Sequence, residues 1–316
     1  MSVEVWTEKY RPKSLEDIVN HEKVVSRLKA FVEDNNIPHL LFSGPAGTGK
    51  SASALAIAHE IFGDKWKRNY LELNASDTRG IDVIRNEVKD FARTKSVGDV
   101  PFKIILLDEA DALTPEAQQA LRRTMENYTE TARFILICNY SSKIIDPIRS
   151  RCSVFRYPRL QKEDAKKLLK KIARKEDVEY EEDGLDTIFS VSQGDLRRSI
   201  NILQSVAAVG ETVTEEMVYE VSTQARPDAV GEMLESAVNG DFMDSRDKLQ
   251  TMLLEKGIGG LDIIKEIHRQ VYDLDIPEAR KVQLIEKIGE YEFRIDEGAD
   301  EQIQLEALLA QFTASA

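Results

Sequence analysis

A phosphate-binding sequence occupies residues 44–51 of this 316-residue chain, directly after the apolar run at 40–42. Its glycines let backbone N–H groups surround a phosphate chain, Lys50 can reach the β- and γ-phosphates, and the Ser51 hydroxyl can bind Mg²⁺. The expected contact residues are Gly44, Pro45, Ala46, Gly47, Thr48, Gly49, Lys50 and Ser51. A glycine-rich turn without a ligand is the alternative, but strand, loop and helix signals in this order favour a nucleoside triphosphate site.

Two adjacent carboxylates follow the second strand that such a site needs. The aliphatic residues 104–107 lead directly to Asp108 and Glu109. Carboxylates at the end of a buried strand are costly unless a cation or a protic group lies beside them. Asp108 is therefore expected to hold Mg²⁺ together with Ser51, and Glu109 to orient or deprotonate the attacking water. The alternative is a strand end that turns into solvent.

Composition restricts the class of protein. A chain of this length is expected to form two or three domains, and 42% hydrophobic with 31% charged residues is typical of a globular protein in water. No apolar stretch approaches the ~20 residues that span a bilayer, and the charged segment 4–13 does not resemble a signal peptide. A cytoplasmic protein without a membrane partner is therefore expected. Cys138 and Cys152 show neither a disulfide nor a zinc-binding pattern.

Charge is distributed unevenly along the chain. Residues 1–200 carry 33 Lys and Arg against 32 Asp and Glu, whereas residues 201–316 carry 10 against 24. The formal net charge of −13 therefore comes from the last third. Because an acidic surface repels a polyanion, a nucleic acid is expected to contact the first two-thirds.

Short apolar runs alternate with segments of helical period in the first half, which predicts a parallel α/β sheet. The predicted strands are 40–43, 70–74, 103–108, 133–138 and 153–157. One helix is predicted to begin at Thr114 as N-cap with Pro115 in its first turn. After residue 161 the predicted helices are 162–176, 183–193, 195–208 and about five within 228–312. The basic side chains of 162–176 are interpreted as a solvated face, with a nucleic-acid contact as the alternative.

Several sequence boxes occur in a fixed order along the whole chain. They are Glu8-Lys9-Tyr10-Arg11-Pro12, the loop 44–51, Asn74-Ala75-Ser76-Asp77 with Arg79-Gly80-Ile81-Asp82, Leu107-Asp108-Glu109-Ala110-Asp111, Cys138-Asn139-Tyr140, Ser150-Arg151-Cys152, Gly194-Asp195-Leu196-Arg197-Arg198 and 297–305. Together these boxes resemble those of the replication factor C small subunits, which are clamp loaders within the AAA+ ATPases. Ala46 and Ile137 depart from the residues common in that family, but neither departure removes an expected phosphate, Mg²⁺ or water contact.

The resemblance implies an architecture and an activity. It implies a P-loop AAA+ α/β domain with a parallel five-stranded sheet at 1–160, an all-α lid at 161–225 and an all-α collar for oligomerisation at 226–316. It also implies an ATPase that uses ATP and Mg²⁺ to open a sliding clamp and load it onto primed DNA. The implied partners are copies of this chain, a replication factor C large subunit, the clamp PCNA and primer–template DNA.

Three polar side chains take roles from the resemblance. Asn139 resembles sensor 1, which hydrogen-bonds the γ-phosphate or its attacking water, with an Asn in a strand-end turn as the alternative. Arg197 resembles sensor 2, which reaches the γ-phosphate from a lid helix. Asn74 resembles a switch residue that restrains Glu109, and a structural turn is an equal alternative.

Arg151 resembles the arginine that enters the active site of a neighbouring subunit. An arginine supplied in trans stabilises the charge that develops on the transferring phosphoryl group. Arg149 is the local rival for this role, and pairing of Arg151 with an acid such as Asp146 is the structural alternative. If the trans role holds, the isolated chain is slow or inactive.

Contacts with DNA and clamp are the remaining expectations. The candidate phosphate contacts are Arg79, Arg85, Lys89 and Lys143, with solvated helix residues as the alternative. The clamp is expected to contact Phe91, Ala92 and Val97 near the end of the helix 82–93, although Phe91 fits a core position equally. Two other functions compete with clamp loading. One is a ring motor such as a Holliday-junction branch-migration helicase, which boxes 8–12 and 150–152 disfavour, and the other is a scaffold that binds nucleotide without hydrolysing it.

Overall fold

A computed structural model describes residues 5–77, 80–98 and 100–314, without the side chains of residues 80–85. The chain divides into two compact units, Met1–Ala208 and Val209–Ala316. The α/β region and the helices predicted to form the lid as far as residue 208 therefore fall in the first unit. The expected division into three domains with boundaries at 160 and 225 stays a prediction.

A five-stranded parallel sheet forms the centre of the first unit. Its strands, β1 to β5, are His39–Ser43, Tyr70–Asn74, Lys103–Asp108, Ala132–Cys138 and Cys152–Arg156. The strand order is β2-β3-β4-β1-β5, and all pairs are parallel, with Asn74 opposite Asp108 and Ser43 opposite Cys138. The predicted sheet is confirmed, and every predicted strand boundary lies within one residue of the observed one. Because all strands are parallel, their carboxyl ends meet at one edge.

Helices cover both faces of the sheet. Those that begin in the first unit, α1 to α10, are Trp6–Lys9, Glu22–Glu33, Lys50–Phe62, Trp66–Asn69, Gly80–Arg93, Pro115–Asn127, Asp146–Arg149, Lys162–Lys175, Glu182–Ser192 and Leu196–Val209. Successive strand side chains point to opposite faces, so Phe42 packs in one core with Ile57 of α3, while Leu41 packs in the other with Leu121 of α6. The three central strands are therefore buried on both sides, which explains their nearly continuous apolar sequences, whereas the edge strands β2 and β5 are partly exposed.

Local sequence signals set the start of α6. The Thr114 hydroxyl accepts a hydrogen bond from the Ala117 N–H at 3.3 Å, and Pro115 lies in the first turn, as predicted. This cap satisfies one of the free N–H groups at the helix start. The end of β3 and the beginning of α6 are therefore joined by a short segment, residues 109–114, that belongs to the site described below.

The helices α8, α9 and α10 follow the sheet. Their bounds agree with the predicted helices to within about a turn, and α8 buries Leu169 and Ile172. The sequence predicts a solvated face for the basic stripe of α8, but some of its side chains form ion pairs with α9. Lys166 lies 3.1 Å from Glu182 Oε2, and Lys170 lies 2.6 Å from Glu182 Oε1, so part of the stripe joins α8 to α9.

The second unit is all-α. Its helices α11 to α16 are Glu215–Ser222, Pro227–Val238, Phe242–Gln250, Gly260–Gln270, Glu278–Asp296 and Glu301–Ala314, with a π-helical segment at Thr251–Glu255. They enclose a separate apolar core that includes Leu234, Ile267 and Leu308. The helix α11 was not predicted, whereas α12 to α16 correspond to the five expected helices. Within the described part of the chain, no helix has the length and apolar character needed to cross a membrane.

Candidate nucleotide-binding site

The phosphate loop connects β1 to α3, and close contacts require its glycines. Gly44 is packed against β5, where an added Cβ would lie 2.0 Å from the Tyr157 carbonyl oxygen. At Gly47, which has a φ of +67°, a Cβ would lie 1.9 Å from Asp195 Oδ1. The Leu196 N–H donates to the Gly47 carbonyl at 3.1 Å. The loop is therefore held between the end of β5 and the start of α10.

His21 supports the loop from the amino-terminal side. Its ring is buried at 4% exposure, and its Nε2 lies 2.9 Å from the Thr48 carbonyl oxygen. The Thr48 hydroxyl in turn donates to the Pro45 carbonyl at 2.9 Å. Burial lowers the pKa of His21, and the contact with Thr48 opposes that shift. Nothing in the sequence pattern had indicated a role for this residue.

Lys50 places a buried cation over the loop. It is 6% exposed, and its Nζ donates to the carbonyl oxygens of Gly44 at 2.6 Å and Pro45 at 2.7 Å. Asn139 Oδ1 lies 3.5 Å from the same nitrogen. Burial lowers the pKa of Lys50, while the nearby Asp108 acts in the opposite direction. The ammonium is thus held by neutral oxygens, and phosphate oxygens would be stronger acceptors for it.

Ser51 and Asp108 meet at the carboxyl edge of the sheet. The Ser51 hydroxyl donates to Asp108 Oδ2 at 2.9 Å, although 57 residues separate the two in the chain. A hydroxyl and a carboxylate oxygen are ligands that Mg²⁺ accepts alongside water and phosphate oxygens. This donor pair, placed beside Lys50 and the phosphate loop, fits a magnesium nucleotide.

Glu109 has a backbone conformation that is uncommon for residues other than glycine. Its φ is +53°, and its N–H donates to Asp108 Oδ1 at 2.8 Å. Residues in this region cost of order 1–3 kcal/mol and are enriched at functional sites. Both Asp108 and Glu109 line the same cavity as the phosphate loop. The two carboxylates thus lie at the strand end beside the site.

Asp111 connects the ends of β3 and β4. Its Oδ2 accepts hydrogen bonds from the N–H groups of Asn139 and Tyr140, both at 3.1 Å. Asp111 thereby fixes the backbone of Asn139, whose side-chain oxygen lies beside Lys50 Nζ. Asp111 belonged to a recognised box but had no assigned role, because a contact over 28 residues leaves no local signal.

Gln118 of α6 supports the segment that follows Asn139. It is 2% exposed, and its Nε2 donates to the carbonyl oxygens of Leu113 at 3.1 Å and Lys143 at 2.9 Å. Its Oε1 accepts from the Ile145 N–H at 2.9 Å. One buried amide therefore holds the segment before α6 and the segment after β4. Its sequence context carries no signal of this role.

A cavity of about 470 Å³ lies beside the phosphate loop. The phosphate loop, Asp108, Glu109 and Asn139 line one part of it, and the helices α8 and α10 supply Lys171, Lys175 and Arg197 among other residues. Residues 7–13 form a further part of the lining. The cavity lining thus includes residues 46–51 of the phosphate loop together with both sensor candidates, whereas Gly44 and Pro45 are not part of it. Its volume is in the range of small-molecule sites.

Arg151 lies in an ion-pair cluster outside this cavity lining. Its Nη2 lies 2.5 Å from Glu126 Oε1, and its Nη1 donates to the Pro147 carbonyl at 2.6 Å. Asp146 instead pairs with Arg149. Arg151 therefore pairs with an acid, as the structural alternative expected, but that acid is Glu126, because Arg149 on α7 occupies Asp146. The Arg151 side chain is 36% exposed.

The Asn74 side chain closes the turn after β2. Its Oδ1 accepts hydrogen bonds from the N–H and the hydroxyl of Ser76, both at 2.9 Å. This geometry favours the structural-turn interpretation of Asn74. Its strand position, opposite Asp108, nevertheless places it one strand away from the carboxylates.

The candidate DNA and clamp contacts differ in exposure. Arg79 and the side chain of Arg85 lie outside the described residues, while Lys89 and Lys143 are exposed. Lys143 Nζ lies 5.3 Å from the ring centroid of Tyr140.

Of the apolar residues expected to contact the clamp, Val97 is 39% exposed, and Phe91 is half-buried beneath Lys103 Nζ at 4.3 Å from the ring centroid. The structure corrects the expectation for Ala92. Its side chain is fully buried in the core on that side of the sheet and is not available to a partner.

Three sequence families match the chain in succession. The ATPase family associated with various cellular activities matches residues 40–160, an AAA+ ATPase lid domain matches residues 167–208, and the replication factor C C-terminal domain matches residues 225–311.

Similar full-length proteins carry one name. The replication factor C small subunit of Methanococcus maripaludis is 54% identical over 306 residues, covering 97% of each chain. Its counterpart in Sulfurisphaera tokodaii is 57% identical over 309 residues, covering 97% of this chain and 94% of the relative. That of Archaeoglobus fulgidus is 51% identical over 313 residues, covering 99% and 98%.

Among solved structures, the Holliday-junction branch-migration motor RuvB of Thermotoga maritima is similar in fold. The TM-score is 0.55 at 19% identity, covering 78% of this chain and 91% of that chain. At this identity the likeness shows the shared fold alone. The sequence relatives therefore favour a clamp loader over a branch-migration helicase, and the structural neighbour does not decide between the two.

Proposed function

Because the chain belongs to the replication factor C small-subunit family, whose role is clamp loading in DNA replication, we propose that it binds ATP with Mg²⁺ beside the phosphate loop and hydrolyses it. One observation carries the proposal. Lys50 and Ser51 meet Asp108, which is distant from them in the sequence, at one cavity. The Ser51 hydroxyl oxygen and Asp108 Oδ2 are 2.9 Å apart. A scaffold that binds nucleotide without hydrolysing it has no need for Glu109 beside this pair.

Each of these residues has a separate role in the proposed phosphoryl transfer. Lys50 and the loop N–H groups bind and orient the β- and γ-phosphates, and Ser51 and Asp108 hold Mg²⁺, which neutralises phosphate charge when bound. Glu109 accepts a proton from, or orients, the attacking water. Asn139, fixed by Asp111, and Arg197 of α10 contribute polar and positive groups toward the γ-phosphate.

Arg151 is proposed to complete the site of a neighbouring copy. Its guanidinium is part-exposed and is held on two sides, by Glu126 and by the Pro147 carbonyl. A guanidinium with a fixed plane loses little freedom when it binds a phosphate in addition. Hydrolysis would then depend on assembly, with residues 226–316 as the collar between copies and a large subunit as a further partner.

Clamp and DNA are the proposed substrates of the assembly. ATP binding would order the complex around the clamp PCNA and primer–template DNA, and hydrolysis would release it. Lys89 and Lys143 are exposed on the less acidic part of the chain and are proposed phosphate contacts. Val97 and the half-buried Phe91 remain the proposed apolar contacts with the clamp.

Nucleotide binding by Lys50→Ala tests the site itself. The substitution removes the one cation that the loop places over the phosphates, and we expect tight ATP binding to be lost. Equilibrium titration with a fluorescent ATP analogue measures the effect, and Lys256→Ala in the second unit is the control. Binding at the wild-type affinity in Lys50→Ala would place the nucleotide elsewhere.

Mixing two inactive preparations tests the role of Arg151. Arg151→Ala keeps the phosphate loop, and Lys50→Ala keeps the arginine, so only mixed assemblies contain an interface with both groups. We expect ATP hydrolysis in the mixture, with clamp and primed DNA present, to exceed the sum of the separate preparations. Labelled chains must first show that subunits exchange. If they exchange and hydrolysis does not recover, Arg151 does not act in trans.

A further inference from the structure

The residues Val5–Lys13 are here called the N-terminal strap, and residues 7–13 of the strap form part of the lining of the nucleotide cavity. The strap is attached to elements that are far away in the sequence. The Trp6 N–H donates to Gln204 Oε1 of α10 at 2.9 Å, and Arg11 Nη2 lies 3.7 Å from Glu72 Oε1 of β2. It therefore runs between the sheet and the helices that follow it.

A single carboxylate on α8 binds two consecutive strap side chains. Glu176, the C-cap residue of α8, accepts from Lys9 Nζ at 2.7 Å and from the Tyr10 hydroxyl on the same oxygen. Its side chain is only 15% exposed. The hydrogen bonds from Lys9 and Tyr10 lower the pKa of the Glu176 carboxyl. Lys9 and Tyr10 both line the cavity, so this contact fixes a piece of the cavity lining to α8.

We propose that Glu176 is a positioning residue that holds the strap closed over the cavity and so sets the rates at which nucleotide enters and leaves. The inference rests on the proposed function, because it requires nucleotide in this cavity. A part-exposed ion pair with one added hydrogen bond is weak enough to open transiently. If the contact stabilises the closed strap equally with and without nucleotide, its loss accelerates both entry and exit and leaves the affinity nearly unchanged.

Three substitutions isolate this contact. Glu176→Gln removes the charge, Tyr10→Phe removes the hydroxyl but keeps the ring, and Lys9→Met removes the ammonium but keeps the aliphatic stem. Glu290→Gln is the matched control, because Glu290 in the second unit also accepts from two side chains, Lys287 at 2.9 Å and Arg294. Stopped-flow mixing with fluorescent ADP gives both rate constants for the full-length chain, and thermal melting reports folding.

We expect Glu176→Gln to raise the association and dissociation rate constants roughly three- to tenfold, the size expected for a part-exposed charged contact. Tyr10→Phe and Lys9→Met should change both constants in the same direction, and Glu290→Gln should change neither. Unchanged rates in a folded Glu176→Gln that still binds ADP would overturn the inference but leave the proposed function standing. An effect of Glu176→Gln that neither strap variant shares would also overturn it. Absence of ADP binding by the wild-type chain would overturn both.

Discussion

Mild acid is predicted to destabilise the first unit through His39, the first residue of the strand that leads to the phosphate loop. The His39 ring is 8% exposed, and its Nδ1 accepts a hydrogen bond from the Phe134 N–H of β4 at 3.1 Å. Nδ1 can accept only while it carries no proton. Burial, with a smaller contribution from Arg133, lowers the pKa of His39 from 6.5 to about 4. The folded chain therefore keeps this imidazole neutral where an exposed one is protonated.

The sign and size of the effect follow from proton linkage. The folded-state pKa is below the unfolded-state value, so the contribution of His39 to stability is complete above pH 6.5 and is lost as the pH falls toward about 4. Between the unfolded-state and folded-state pKa values, the unfolding free energy falls by about 1.4 kcal/mol for each unit by which the pH is lowered. Between pH 7.5 and about pH 5.5, His39 alone is expected to remove about 1.4 kcal/mol.

Denaturant unfolding of the wild-type chain and His39→Gln at these two pH values checks this expectation. Glutamine is not titratable and keeps an oxygen that can accept from the Phe134 N–H. Other titrating groups, including His21, contribute to both proteins and cancel in the comparison. The wild-type chain should lose about 1.4 kcal/mol more stability than His39→Gln on acidification. Equal losses in the two proteins would show that His39 is not held neutral by the fold.

Three further predictions concern catalysis, DNA and packing. Glu109→Gln should bind ATP as the wild type does but lose turnover, since an amide is not a base; unchanged steady-state hydrolysis would exclude Glu109 from the reaction. The double variant Lys89→Ala, Lys143→Ala should weaken DNA binding equally for all sequences and lower the slope of log affinity against log salt by about two, whereas Lys256→Ala should leave the slope unchanged. Gln118→Ala should lower the unfolding free energy by about 1–3 kcal/mol because it leaves the Leu113, Lys143 and Ile145 backbone groups without this partner; a melting temperature equal to that of the wild type would contradict this.

The sheet and the phosphate site were predictable because their signals are local. Each strand is a short apolar run bounded by polar or turn residues, and the Thr114 cap lies three residues from the N–H that it accepts. Asp108 could be assigned from its position at the carboxyl end of β3 because parallel strands end at the same edge. The order of strand, loop and helix in the sequence was therefore enough to predict that Ser51 and Asp108 lie close together.

Contacts between distant segments that carry no motif were not predictable. The Tyr10 hydroxyl and Glu176 are 166 residues apart, and the partner of Arg151, Glu126, lies 25 residues away on the helix α6. Charged residues are common on every exposed surface, so their pairing depends on the packed arrangement of the helices and not on spacing. The burial of Ala92 has the same origin. Its helix turns that residue toward the sheet, while Phe91 is half-buried and Lys89 is exposed.

The phosphate loop and the helix α10 are too closely packed to move independently. Asp195 fills the space in which a Gly47 side chain would lie, and the Gly47 carbonyl accepts from the Leu196 N–H at 3.1 Å. Arg197, the candidate sensor of the γ-phosphate, follows directly in the same helix. A shift of the loop around phosphate therefore displaces the start of α10, and a shift of α10 alters the loop. Interiors packed to this density transmit displacement instead of absorbing it, so we expect nucleotide binding at the loop to alter the position of α10 through the contacts at Gly47.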